Sequence, residues 1–461
     1  MKIKIFLNCV FQLLLIFSSI VSAQTEVAPL DDNDKKELIV KVCDLLKDNY
    51  IFPELGVKYG QELLTLYKTG EFKKINDPKE FGEYVTSALH NITKDKHFNF
   101  RMIEKSDFNE DEQGSLHHPV RYYGLGIKEH LGVFRLDWIE NEIGYMDYRR
   151  FYYQDEAKEM LIDAMNFLSS ANAIIIDLRE NQGGSGKLIP LLCSYFLPYP
   201  TQLTGTYYRK DDVTDEWWTL KNIEGKRLLD VPLFILISKK TFSAAEYFAY
   251  DLKVRKRVTF IGEPTKGGAH SVDVFPVGER FEFYIPTARA INPVTGSNWE
   301  GEGIIPDVLV PSESALDTAI VLAKKSAQEY GKIKDAHLMG IIDKMQNQLD
   351  QAESLFNNGG DTEATTFLDS AFQTGLETGM LNKFFIEVLA YYYTSHKLYK
   401  MAIRVLKKQT ELFPDSPDAY ESLAWIYYDQ KEKELALQYF TRVLALDQNN
   451  SIARNMLNKL K

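Results

Sequence analysis

The chain has 461 residues and a formal net charge of −11, with 45% hydrophobic and 26% charged residues. That length fits two or three domains, each large enough to bury a core, and the composition excludes wholesale disorder, a collagen-like chain and a multi-span membrane protein. The acidic balance argues against a nucleic-acid partner, which calls for a basic surface, and three cysteines are too few for a disulfide framework.

Lys2 and Lys4 precede an apolar stretch from Cys9 to Val21, and Val21-Ser22-Ala23 sets small residues before a cleavage point at Gln24. This is the layout of a secretory signal peptide, so residues 1–23 are expected to be removed and the mature chain to be secreted or periplasmic. An uncleaved anchor is the other reading. Asn8 and Gln12 shorten the apolar core below the roughly 20 residues a span needs, so no stable membrane span is expected after cleavage. Cys43 and Cys193 fall in apolar helical patterns and are expected as separate buried thiols.

Residues 24–119 form the next region. Leu38, Val42, Leu45 and Leu46 recur at helical spacing, Phe52-Pro53 breaks the run, and further helical stretches follow near Tyr59–Tyr67 and Pro78–His90. A small helical bundle is predicted, ending in a polar, acidic connector at 107–119.

Over 120–330 strands and helices alternate. Gly132–Trp138, Gly144–Tyr148, Ala173–Leu178, Val231–Ser238, Val258–Ile261, Val272–Phe275 and Phe281–Ile285 read as strands. Asp155–Leu168 and Ser243–Lys253 read as helices. Continuous apolar strands separated by helices predict an α/β sheet covered on both faces.

Residues 335–461 repeat. Ile386, Leu389, Ala390, Tyr393, Ala402 and Leu406 recur 34 residues later as Tyr420, Leu423, Ala424, Tyr427, Ala436 and Phe440. The period and its small and aromatic positions resemble the tetratricopeptide repeat, an all-α helix–turn–helix. A third unit around Leu338–Gly379 fits poorly, because Gly359-Gly360 falls where its first helix should continue.

Three segments carry groups suited to chemistry. Ser243, in Thr241-Phe242-Ser243-Ala244-Ala245-Glu246, sits on a strand-to-helix turn that suits a nucleophile, although Ser243-x-x-Glu246 equally fits a capping box. Asp177-Leu178-Arg179-Glu180-Asn181-Gln182-Gly183-Gly184 runs from a buried strand into paired glycines, whose bare amides could hold an oxyanion or could merely turn the chain. It is neither a Walker phosphate loop nor a dinucleotide fingerprint. Of eight histidines, His97 and His270 are the candidate bases. No His-Glu-x-x-His or paired-cysteine spacing is present, so neither a metal nor a cofactor is expected. Asn298–Asp307 adds Trp299 and Glu300 in a glycine-rich loop.

Together these stretches resemble the tricorn and C-terminal-processing serine peptidase superfamily, in the branch shared with interphotoreceptor retinoid-binding protein. The matching stretches are Asn49–Pro53, Asp95-Lys96-His97, Asp177–Gly184, Thr241–Glu246, Gly262-Glu263-Pro264-Thr265 with Gly267–His270, Ala290–Pro293 and Trp299–Asp307. The resemblance covers roughly residues 35–325 and implies a ClpP/crotonase-like α/β peptidase core. It implies Ser243 as nucleophile, His97 as general base, Glu300 as the acid of the charge network, and Gly183 or Gly184 with Ala244 as the oxyanion hole. The C-terminal-processing branch carries a lysine base where Gly268 stands here, which disfavours a Ser–Lys pair, with Lys266 two residues away. Tricorn-like members carry a serine where Lys96 stands, and no PDZ domain fits between Ser106 and Tyr122. The implied function is a serine peptidase acting on a peptide or protein substrate, with the repeats free to hold a protein partner. Its rivals are a non-catalytic protein binding a hydrophobic ligand or peptide, and a repeat-based scaffold.

Overall fold

The computed structural model describes residues 28–103, 124–140 and 142–460. The expected signal peptide and acidic connector lie outside the described residues. The chain divides into two compact units, with the boundary between Tyr330 and Gly331.

The first unit opens with helices α1 (Asp32–Asn49), α2 (Pro53–Lys68) and α3 (Pro78–Thr93). Their starts follow from sequence. Asp31 and Asp34 close a capping box on α1, while Pro53 and Pro78 occupy first-turn positions where a missing N–H costs nothing. Lys94, in the left-handed region at φ 61°, ends α3 and turns the chain toward His97. Strand β1 (Asn99–Met102) comes next. After it run β2 (Val133–Ile139), β3 (Ile143–Tyr148), α4 (Asp155–Leu168), β4 (Ala173–Asp177) and α5 (Ile189–Phe196). Then come β5 (Gly205–Tyr208), β6 (Val213–Asp215), β7 (Leu233–Ile237), α6 (Ala244–Lys253), β8 (Thr259–Gly262), β9 (His270–Val277), β10 (Phe281–Ile291), β11 (Val308–Leu309) and α7 (Ala315–Asn357).

The central sheet has the order β11-β8-β7-β4-β3-β2, parallel except for the β2 edge. Its two faces alternate along each strand. Ile174, Ile176, Leu233, Ile235 and Ile237 pack with Leu161, Leu168, Leu192, Phe248 and Leu252 of α4, α5 and α6. Ile175, Phe234, Leu236 and Ile261 pack against Ala315, Ala319, Ala323 and Ala327, a small-residue stripe at four-residue spacing on α7. The sheet covered on both faces is therefore present.

The helical bundle does not close on itself. Ile39, Val42, Leu63, Phe81, Val85 and Leu89 share one core with Phe98 just before β1, with Phe100 of β1, and with Phe281, Phe283 and Ile285 of β10. Those strands belong to a second, antiparallel sheet, β1-β10-β5-β6, with β9 also paired to β10. Three short amphipathic helices need this sheet to finish burying their apolar faces, so the N-terminal region and the core form one unit.

In the second unit α8 (Asp361–Glu377) is followed by α9 (Lys383–Ser395), α10 (Tyr399–Leu412), α11 (Pro417–Asp429), α12 (Lys433–Leu446) and α13 (Ser451–Leu460). The pair α11–α12 restarts 34 residues after α9–α10, and Ala390, Tyr393, Ala402, Leu406, Ala424, Tyr427, Ala436 and Phe440 are all buried. Gly359 and Gly360 do not interrupt a helix. They form the turn between α7 and α8, with Gly359 at φ 84°.

Candidate active site

The site is assembled on the loops that leave the C-terminal ends of the neighbouring parallel strands β4 and β7, the usual place for a site in such a sheet. Polar side chains tie the two loops together. Thr241 Oγ1 donates to the Leu178 carbonyl at 2.8 Å, Ser238 Oγ to the Arg179 carbonyl at 2.6 Å, and the Phe242 N–H to the Asn181 carbonyl at 3.1 Å. Asn181 is fully buried, its Nδ2 donating to the Tyr148 carbonyl while its Oδ1 accepts the Gly183 N–H. The tie presses Gly183 against Ser243. A Cβ at Gly183 would lie 2.8 Å from Ser243 Cβ and 2.9 Å from the Ala244 nitrogen, and its φ of 92° also favours glycine.

Ser243 adopts φ 54° and ψ −119° immediately before α6. A side-chain-bearing residue rarely takes that conformation, and it persists only where surrounding bonds impose it. Glu246 supplies them. Its Oε2 accepts from the Ser243 N–H and the Gly268 N–H, both at 2.9 Å. Its Oε1 accepts from Thr265 Oγ1 at 2.5 Å and the Gly267 N–H at 2.7 Å. Burial raises the Glu246 pKa, and these four donors oppose the rise.

His97 lies beside this turn, its ring tilted against Phe242 with centroids 4.8 Å apart. Its Nδ1 is 3.2 Å from Asp95 Oδ1, which also accepts the His97 N–H at 3.0 Å. Its Nε2 is buried and has no hydrogen-bond partner among the described residues. Asp95 is 3% exposed, and its Oδ2 lies 2.7 Å from His270 Nδ1. Burial alone would raise the Asp95 pKa, but the hydrogen bonds and charges of His270 and His97 hold it below the usual carboxylate range. Burial lowers the His270 pKa, yet Asp95 and Glu300 outweigh it and leave it raised. Glu300 Oε2 accepts the Ala269 N–H at 2.6 Å and comes no nearer than 3.9 Å to His97 Nδ1. Burial and the Asp95 charge raise its pKa.

The structure thus gathers Ser243, Ala244 and Gly183 at one turn, with His97 against Phe242. Gly184 follows at φ 127°, a conformation that favours glycine, where a Cβ would also collide with the Phe151 carbonyl. Three details differ from expectation. The Gly183 amide is already donated to Asn181, which leaves Gly184 and Ala244 as the candidate donors. Asp95, absent from the predicted site, stands closer to His97 than Glu300 does. His270 contacts Asp95 through Nδ1 and is part of the same cluster.

Gly268 explains why a lysine is missing. A Cβ there would lie 2.1 Å from the Phe242 ring and 2.7 Å from His97 Cε1, so the imidazole fills the space a larger side chain needs. Lys266 Nζ stands over the Phe242 ring at 4.3 Å, and Lys96 Nζ donates to the Lys266 carbonyl at 2.5 Å, joining the two loops. A cavity of about 840 Å³ is lined by Arg149, Arg179, Lys239 and Lys240 among others but by none of these site residues. Those four cations are paired with Asp147, Asp177, Glu263 and Glu180.

Fold and site define an α/β peptidase-type core carrying helical repeats. Residues 142–310 match peptidase family S41, residues 25–122 match the N-terminal domain of that peptidase in eukaryotic interphotoreceptor retinoid-binding protein, and residues 417–450 match a tetratricopeptide repeat. Over residues 142–310 the chain is similar to peptidase family S41. It is 26% identical over 174 residues to the carboxyl-terminal-processing protease of Picosynechococcus sp., covering 37% of this chain and 40% of that one. It is 28% identical over 183 residues to carboxyl-terminal-processing peptidase 2, chloroplastic, of Arabidopsis thaliana, covering 38% and 33%. The matched segment therefore spans two-fifths or less of either curated relative. The solved photosystem II D1 C-terminal processing protease aligns at 15% identity and TM-score 0.40, over 60% of this chain and 94% of its own.

Proposed function

We propose that the protein is a serine peptidase of the cell envelope or extracellular space, with Ser243 as nucleophile and His97 as general base. The observation that carries this reading is the strained Ser243 turn beside an imidazole that has a carboxylate on Nδ1 and a free, buried Nε2. Asp95 accepts the Nδ1 proton and so keeps the Nε2 lone pair available. Ser243 Oγ attacks the peptide carbonyl as His97 Nε2 takes its proton, and the same nitrogen returns that proton to the leaving amine. The Ala244 N–H, first on α6 and without an intrahelical acceptor, stabilises the oxyanion together with the Gly184 N–H. Water then releases the acyl group by the same route. The tetratricopeptide unit is the candidate surface for a protein partner or substrate, and the Val21-Ser22-Ala23 pattern supports the compartment.

A serine-directed fluorophosphonate tests the reading. Wild-type protein should be labelled at Ser243, and Ser243→Ala should lose labelling and peptide turnover with a stability change of only about 1 kcal/mol. Labelling that survives in Ser243→Ala refutes the assignment.

A further inference from the structure

Asp95, His97, His270 and Glu300 each present one donor atom, and the four atoms lie within 4.8 Å of one another. They come from three segments: the turn after α3, the first residue of β9, and the loop before β11. The known separations are 3.2 Å from His97 Nδ1 to Asp95, 3.9 Å from His97 Nδ1 to Glu300, 3.6 Å from His270 Nδ1 to Glu300 and 2.7 Å from His270 Nδ1 to Asp95. Four ligands at zinc bond lengths of roughly 2.0–2.2 Å stand roughly 3.3–3.6 Å apart in a tetrahedron. Of these four, the His270–Asp95 pair has to open and the others shift by a few tenths of an ångström, while the remaining His97–His270 and Asp95–Glu300 pairs stand within 4.8 Å and have to close by no more than about 1.5 Å. Glu300 Oε1 is buried with no hydrogen-bond partner among the described residues, leaving a carboxylate oxygen free to move onto an ion.

We propose that this cluster is a zinc site, and that a zinc ion seated in it reversibly disables His97. Two imidazoles with two carboxylates suit zinc, whereas calcium and magnesium select oxygen ligands. The dication also offsets two carboxylates that converge in a buried place. Asp95 is braced by the Tyr50 hydroxyl at 3.5 Å, and Glu300 by the Ala269 N–H. His97 Nε2, in contrast, lacks the acceptor that normally locks a permanent zinc histidine, which favours an ion that exchanges.

The inhibitory half of the proposal rests on His97 being the base. A neutral imidazole carries one ring proton. When that proton sits on Nδ1 and is donated to Asp95, the Nε2 lone pair can accept the proton of Ser243. Zinc bound at Nδ1 moves the ring proton to Nε2 by exchange with solvent, with no net change in protonation, and no lone pair remains there to act as base.

Chelator-treated full-length protein is titrated with Zn2+, and with Co2+ as a visible-absorption probe of coordination. One ion per chain with the intense spectrum of four-coordinate Co2+ is expected, for Ser243→Ala as for wild type. His270→Gln should abolish that spectrum, and Glu300→Gln, whose amide oxygen can still accept from Ala269, should weaken Zn2+ binding by at least about tenfold. Circular dichroism verifies that each variant is folded. Absence of the four-coordinate spectrum in wild type, or its survival in both variants, overturns the site. Peptide turnover should fall as Zn2+ fills the site and return with chelator, and full turnover at full occupancy overturns the inhibition. Undiminished turnover by Ser243→Ala would instead overturn the peptidase reading and leave the spectroscopic result intact.

Discussion

Asp95→Asn separates the two carboxylates that could orient His97. Asp95 accepts from the His97 N–H, from His97 Nδ1 and from His270 Nδ1, so one carboxylate serves two imidazoles. The amide has a single acceptor oxygen, and its NH2 group must face one of the rings. If it faces His97, Nδ1 becomes the acceptor and the proton moves to Nε2, the wrong tautomer for a base. By analogy with an Asp→Asn change in a serine protease triad, kcat should fall about 10³–10⁴-fold, or roughly 4–5.5 kcal/mol of barrier. One or two charge-assisted hydrogen bonds at about 1.5–3 kcal/mol each are also lost, which should lower stability by roughly 2–5 kcal/mol. The assay is kcat on a fluorogenic peptide with thermal unfolding in parallel, and with Glu300→Gln prepared alongside. Glu300 stands 3.9 Å from His97 and should cost no more than about tenfold in kcat. The reasoning is refuted if the order inverts, with Asp95→Asn near wild type and Glu300→Gln losing a thousandfold.

Two further predictions follow from packing and burial. Gly268→Ala places a methyl group against Phe242 and His97, so stability should drop by about 1–3 kcal/mol and kcat by about a hundredfold, and unchanged kcat would show that His97 can give way freely. Burial raises the Asp251 pKa to about 6, with bonds from Thr204 and Arg255 opposing. Its stabilising effect is complete below the unfolded value near 4 and is lost as pH rises through about 6, a change on the order of 3 kcal/mol. Asp251→Asn should remove that part of the slope when unfolding free energy is measured from pH 4 to 7, and identical slopes would refute it.

The parallel core was legible because β7 is apolar at every position and β4 at every position before Asp177, and α4 because its apolar residues fall on one face between clear ends. The repeats were legible because their buried positions recur at a fixed interval. Less visible was β10, which runs past Pro286 to Ile291. A register shift between Pro286 and Ala288 absorbs the proline, so the predicted strand Phe281–Ile285 continues through an irregularity into a longer one. Strand β6 is three exposed residues with no apolar alternation to reveal it. At the site, Ser243, His97 and the glycine pair stood out by residue type. Asp95 could have been found in the sequence, because an aspartate two residues before a histidine can accept that histidine's N–H in a tight turn. Its bond to His270 could not, because 175 residues separate them and only the pairing of β9 with β10 beside β1 brings them together.

The Ser243 turn also bears on an alternative that sequence leaves open, between helix cap and nucleophile. Glu246 accepts the Ser243 N–H as a capping box requires, but the same carboxylate also holds Thr265, Gly267 and Gly268. A residue serving only as a cap ordinarily has β-region backbone, and nothing in that role requires φ 54° and ψ −119°. Glu246 therefore does two things at once. It imposes the strained serine, and it anchors the loop whose Gly268 leaves room for the His97 ring. The cap is part of what builds the site, so a change at Glu246 cannot serve as a mild control for a change at Ser243. Removing Glu246 would release the serine's backbone and free three donors from Thr265–Gly268 in a buried place, disturbing the seats of the proposed nucleophile and base together.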